Sequence, residues 1–210
     1  MGNRAVITTR KNFENNGVGI YLHWNGGRDS VEAFLKYCEL KQYRTPDKDC
    51  YGWARLCQVI GNFFGGALSV GINTVDNLDC DNWDNGVYII EGWKIVGREY
   101  FEGREQMNYK LEDMLIDIDK AMPKDEQLGE YLTANEIPTK EVKVGDTVLL
   151  MDYNGKVEKH KVMGFGIDEY QNGVNVKDMP YVDLYNDGDG KYDWNINNYI
   201  RTETVRVVAE

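Results

Sequence analysis

A chain of 210 residues suits one large domain or two modest ones, and 42% hydrophobic with 28% charged residues is an ordinary globular composition that can bury a core without staples. The net charge of −11 is uneven: 9 basic and 6 acidic residues lie in 1–66, 6 and 16 in 67–136, and 9 and 13 in 137–210. Phosphate neutralisation needs clustered Lys and Arg, so a general nucleic-acid binder is excluded outside the first third. The start MGNRAVITT lacks a basic region followed by an apolar stretch, and no run approaches the roughly 18 apolar residues of a membrane span. No membrane partner is expected, and the expected location is the cytoplasm. The 14 Tyr, 5 Trp and 22 Gly suggest strands and turns mixed with helices.

In chain order, Ala5 to Thr9 is a β-branched run, and the polar stretch Arg10 to Asn16 ends in an Asn-Asn-Gly turn signal. In the strand that follows, Val18, Ile20, Leu22 and Trp24 alternate onto one face and Gly19, Tyr21 and His23 onto the other. After Asn25-Gly26-Gly27-Arg28 the pattern predicts a helix capped by Asp29, with Glu32 completing a capping box and pairing with Lys36. Val31, Phe34, Leu35 and Cys38 form its buried stripe. A second helix follows Thr45-Pro46-Asp47, with Trp53, Leu56, Cys57, Ile60 and Phe64 at helical spacing until Gly65-Gly66.

Ala67 to Ile72 reads as a buried strand, and Gly86 to Phe101 as a hairpin turning near Glu91-Gly92. Leu111, Met114, Leu115, Ile118 and Met122 predict a third helix before Pro123, with Glu112, Asp113, Asp117 and Asp119 on its wet side. Beyond Val142 only short strands are signalled, and Val-x-Val-Gly-Asp-x-Val with an Asn154-Gly155 turn resembles the opening of small SH3-like barrels. The predicted fold class is therefore α+β. A mixed domain over residues 1–136, with about three helices packed on a sheet, precedes a small all-β SH3-like barrel over 137–210.

Candidate chemistry centres on the turn between strand and helix. Free amides at Gly26 and Gly27 and the forked donor of Arg28 could hold a phosphate, and His23 could move a proton in phosphodiester cleavage with Tyr21 placing the substrate. Arg4, Arg10 and Lys11 would steer RNA toward that place. The competing reading is structural: glycines are the ordinary solution for a sharp connection, and the charge of Asp29 repels a phosphate. The GxxxxGK[ST] pattern is absent, so P-loop hydrolysis is not supported.

The loop NTVDNLDCDNWDNG gathers Asp76, Asp79, Asp81 and Asp84, yet Trp83 falls where an EF-hand needs its fifth ligand. The segment with Asp187 and Asp189 fails similarly at Lys191 and Asn198. Cys38, Cys50, Cys57 and Cys80 have no zinc spacing and read as reduced core thiols, and His160 as an exposed strand residue among lysines. No cofactor or metal site is predicted, with a divalent metal left open. The acidic loop and the wet side of the third helix could together present a negative surface to a basic protein groove, much as a nucleic acid would.

Taken together, GVGIYLHWNGGRDSVEAFLKYC, YGWARLCQVIGNFFGG and NTVDNLDCDNWDNGVYIIEGWKIVGREYF resemble a family of small proteins carried by phages, plasmids and integrated elements of Gram-positive bacteria. The resemblance covers roughly residues 4–101. It implies an accessory role, with counter-defence proteins of the anti-CRISPR kind as the expectation, and carries over no catalytic residue. Two functions follow as expectations. One is an inhibitor acting on a host protein or ribonucleoprotein complex through charged surfaces. The alternative is an RNA-cleaving phosphodiesterase using His23 and Arg28.

Overall fold

The first sheet is built outward from β1 (Ala5–Thr9), whose five residues are all buried. A strand covered on both faces takes mainly apolar and β-branched residues, and the buried Thr8 hydroxyl is satisfied by donating to the Val18 carbonyl at 2.8 Å. The computed structural model describes residues 2–66, 68–151, 155–166, 181–185 and 204–208. Beside β1 lie the antiparallel β2 (Val18–Leu22) and the parallel β4 (Val87–Glu91). The antiparallel β3 (Val70–Thr74) and β5 (Lys94–Glu99) complete the order β3-β2-β1-β4-β5. The chain is thus α+β, in two compact units, Met1–Gln127 and Leu128–Glu210.

Between β1 and β2 the polar stretch forms a short helix, α1 (Arg10–Glu14), which the sequence pattern did not signal. Thr9 caps it, Oγ1 accepting from the Asn12 amide at 3.3 Å. Gly17 closes the connection, since a Cβ there would sit 2.4 Å from Asn12 Oδ1. The three predicted helices are α2 (Arg28–Leu40), α3 (Cys50–Phe63) and α4 (Leu111–Ala121), which pack on one another. Ala5, Ile7, Ile20, Leu22, Tyr88 and Ile90 alternate onto one face of the sheet and are essentially inaccessible. On the opposite face Val6, Val87 and Ile89 cluster with Phe13 of α1 and with Leu78 and Cys80 of the loop that crosses from β3 to β4.

Several local expectations change. The strand expected at Ala67–Ile72 is β3 at Val70–Thr74, and it is not buried: it pairs only with β2, and as an edge strand leaves Ile72 58% exposed. The cap of α2 is Gly27, not Asp29, and Glu32 pairs with Arg28 at 2.7 Å while Lys36 pairs with Glu39. Asp119 is not on the wet side of α4: it is buried and accepts a 2.7 Å hydrogen bond from the Tyr37 hydroxyl of α2. The cysteines are free, yet only Cys38 is buried and Cys50 is exposed.

The second unit is a sheet of order β6-β10-β7-β8-β9, formed by β6 (Asn135–Pro138), β7 (Thr147–Met151), β8 (Val157–Gly166), β9 (Tyr181–Tyr185) and β10 (Thr204–Val207). Val142, Val148, Val162 and Val205 form its core, with Ile137, Leu150 and Val207 against them. Strand β6 straddles the boundary expected at 136/137 and belongs here because it pairs with β10. The sheet is open: its edge strands β6 and β9 do not pair with each other among the described residues, so a closed barrel is not formed there. Asp187, Asp189, Lys191 and Asn198 lie outside the described residues.

His160 on β8, expected to be exposed, is half-buried opposite Val148. Burial holds its pKa below the ordinary 6.5, against the opposing pull of Glu158. The unfolded chain therefore takes up this proton first, and the second unit loses stability as pH falls through about 6.5 and below. Urea midpoints for this unit at pH 7.5 and 5.5 should differ less in His160→Gln than in the unchanged protein. An identical difference in both would show that His160 carries none of the pH dependence.

Candidate functional site

The turn that opens α2 is filled by the protein itself. A Cβ on Gly26 would lie 2.7 Å from the backbone of Arg4 and Ala5, so this glycine lets the turn rest on the start of β1. Gly27 is buried beside Asp29 and the Gln106 carbonyl. Asp29 Oδ2 accepts the amides of Asn108 and Tyr109, the latter at 2.7 Å, and Oδ1 accepts the Ser30 amide at 2.7 Å. A carboxylate with three amide donors straps residues 106–109 across the helix start, where a phosphate would have to sit.

Arg28 is committed as well, to Glu32 at 2.7 Å and to Glu105 at 3.3 Å. Glu105 also binds Arg98, whose guanidinium lies 3.8 Å from the Tyr88 ring centroid and 3.9 Å from that of Phe101 and donates to the Asn85 carbonyl. His23 is exposed, with ring neighbours Tyr21 at 6.4 Å and Trp24 at 5.0 Å. Arg10 and Lys11 follow the far end of β1, whereas His23 follows Leu22, the partner of Ala5. At strand rise these ends are roughly 15 Å apart. The geometry thus brings Tyr21 and His23 together and leaves Arg28, Arg10 and Lys11 in other surroundings.

Arg4 joins the acidic loop. Its Nε donates to Asp84 Oδ2 at 2.7 Å, its amide reaches the same oxygen at 3.2 Å, and Asp79 lies 3.6 Å from Nη1. Burial, then the nearby Asp79, pushes the Tyr21 hydroxyl above its ordinary pKa, so it is protonated at neutral pH and beyond. The loop is organised by Asn82, which is fully buried. Its Nδ2 donates to the carbonyls of Asp79 and Gly86 at 3.0 and 3.2 Å, and its Oδ1 accepts the amides of Asp84 and Gly86 at 3.2 and 3.0 Å.

Trp83 stands between these pinned neighbours at φ 60°, in the left-handed region, with 89% of its surface exposed. A bulky residue there is a genuine outlier held by its surroundings. Asp76, Asp79 and Asp81 are exposed around the same loop, while Asp84 is largely covered by Arg4. On α4, Glu112, Asp113 and Asp117 are exposed and Asp119 is withdrawn into the core. Sequence spacing named the loop's acids but not Trp83 or Asn82. The Asn-Trp-Asp-Asn-Gly run is a turn signal, and a tryptophan inside one has no core to enter.

A cleft of about 570 Å³ lies elsewhere in this unit, at the carboxyl ends of β1 and β4, with Arg10, Lys11, Lys48, Cys50, Trp53 and Glu91 on its walls. Among the described residues no group of three or more His, Cys, Asp or Glu side chains converges as a metal site, and no helix is long and apolar enough to cross a membrane. No protein-family profile, curated protein or solved structure matches the chain.

Proposed function

We propose that this protein is a mobile-element accessory factor of the counter-defence, anti-CRISPR type, which works in the cytoplasm by occupying a basic surface of a host nucleic-acid-handling complex. The observation that carries the reading is Trp83, fixed outward at 89% exposure on a loop whose exposed acids are Asp76, Asp79 and Asp81. An exposed indole on a pinned backbone has only two side-chain torsions to fix on docking and can accept an arginine or lysine against its face, and aromatic anchors dominate protein interfaces. The surrounding carboxylates add attraction to a surface built for phosphate and speed encounter. The resemblance over residues 4–101 supports the mobile-element setting. The phosphodiesterase alternative gains nothing from the geometry, because Arg28 and the glycine turn are engaged by Glu105, Glu32 and the 106–109 strap.

For the second unit the same reading includes an SH3-like module. Its support is the β7-β8-β9 meander with β10 returning beside β7, together with the Val-x-Val-Gly-Asp-x-Val opening.

A phage or plasmid challenge of a Gram-positive host with an active RNA-guided defence tests the proposal. Expression of the protein should restore transformation, and Asp76→Lys combined with Asp79→Lys and Asp81→Lys should remove the effect at equal protein level. Restoration that survives the charge reversal and is lost with His23→Ala would replace the docking account with the catalytic one.

A further inference from the structure

The cleft at the ends of β1 and β4 has no role in the docking proposal and does not depend on it. These two strands are parallel neighbours at the centre of an otherwise antiparallel sheet, and the cleft lies beyond their carboxyl ends. Its volume of about 570 Å³ falls in the range of sites that bury a small organic molecule. The wall chemistry is specific: the half-buried indole of Trp53 is an aromatic surface, and Arg10, Lys11 and Lys48 bring three cations around it.

The charges differ in how far they are already spent. Arg10 pairs with Glu99 at 2.8 Å, whereas Lys11 and Lys48 make no ion pair among the described residues. Of the carboxylates on the walls, Asp47 accepts the Gly92 amide at 2.9 Å. Asp49 caps α3 by accepting the amides of Tyr51 and Gly52 and pairs with Arg44, so the helix amides are not available to an anion. Glu91 is exposed and has no partner among the described residues, which leaves one free acceptor for a donor group.

From this set we infer that the cleft binds a nucleoside monophosphate, its base on Trp53, its phosphate between Lys11 and Lys48, and an exocyclic amine toward Glu91. Base stacking on an aromatic face contributes about 1–3 kcal/mol per base and tolerates any base, and paired lysines supply the phosphate charge. The ring and the phosphate are both required, because either alone would leave half of the lining unused.

Cys50 is exposed on the cleft wall and offers a local probe. Iodoacetamide labelling of the full chain, read at Cys50 by mass spectrometry, is measured with AMP, CMP, adenosine or inorganic phosphate. AMP and CMP should each slow labelling about threefold or more, the protection mass action gives at twice the dissociation constant or above. Adenosine and phosphate at the same concentration should slow it far less. In Lys11→Glu/Lys48→Glu, two exposed positions whose reversal is read alongside an unchanged urea midpoint, the protection should disappear. No protection by either nucleotide, equal protection by phosphate alone, or protection that persists in the folded double variant would each overturn the inference.

Discussion

Asn82→Ala should lower the stability of the first unit by about 3 kcal/mol and release Trp83 from its fixed position. Four backbone groups bond to this one amide: the carbonyls of Asp79 and Gly86 and the amides of Asp84 and Gly86, of which the Gly86 carbonyl also accepts the Val6 amide at 2.9 Å. They lie around a fully buried side chain, so a substituted methyl removes all four bonds and leaves the buried Gly86 amide without its partner. A free-energy difference read only from urea unfolding could come from anywhere in the unit. Hydrogen exchange at the amides of Asp84 and Gly86 localises it, and both should lose protection. Gly86 adds to the sensitivity, because it sits at φ 61° with the carbonyls of Glu99 and Tyr100 where a Cβ would be. Protection unchanged at those amides would mean that the loop is held by Arg4 and Asp84 alone.

The second large effect is expected at Asp29. Asp29→Ala removes the acceptor for the amides of Ser30, Asn108 and Tyr109 inside a buried site, and a loss of about 3–4 kcal/mol is expected. Asp29→Asn should recover part of it, since its single carbonyl oxygen can keep some of the amides but not all. The segment Gln106–Tyr109 should then become the first site of limited proteolysis, while helix α2, whose Gly27 cap makes no side-chain bond, stays folded. A proteolysis pattern equal to that of the unchanged protein would show that the segment is held by Glu105 with Arg28 and Arg98 instead.

These two residues also show what a sequence can and cannot disclose. Period-two and period-3.6 patterns placed β1, β2, the β4–β5 hairpin and helices α2, α3 and α4, because burial of one face is a local property of spacing. Helix α1 escaped, since among its five residues Phe13 alone is apolar, and it is held by its Thr9 cap and the sheet beneath. Asp29 matched a capping pattern but is claimed by amides about 80 residues away, and Asp119 matched a wet helix face but is claimed by Tyr37 at a similar separation. Such pairings are tertiary and leave no mark in a window of ten residues. The charged site fared similarly: the acidic loop was visible as composition, while Arg4 pairs closely with Asp84 and more loosely with Asp79, and leaves Asp76 and Asp81 as unpaired outward charge among the described residues. Of the proposed catalytic set, only Tyr21 in β2 and His23 just past its end could be placed together from alternation.

Trp83 offers the most direct measurement of the central claim. It is almost wholly exposed, so Trp83→Ala should change stability by no more than about 0.5 kcal/mol. A purified RNA-guided nuclease complex from a Gram-positive host, titrated with this protein in a guide- and target-binding assay, supplies the readout. The unchanged protein should displace nucleic acid with an affinity that weakens as salt rises. Trp83→Ala should lose affinity by about tenfold or more, equivalent to about 1.4 kcal/mol or more at an aromatic anchor. Displacement by Trp83→Ala at full affinity, with the protein folded and the RNA intact, would contradict the docking account.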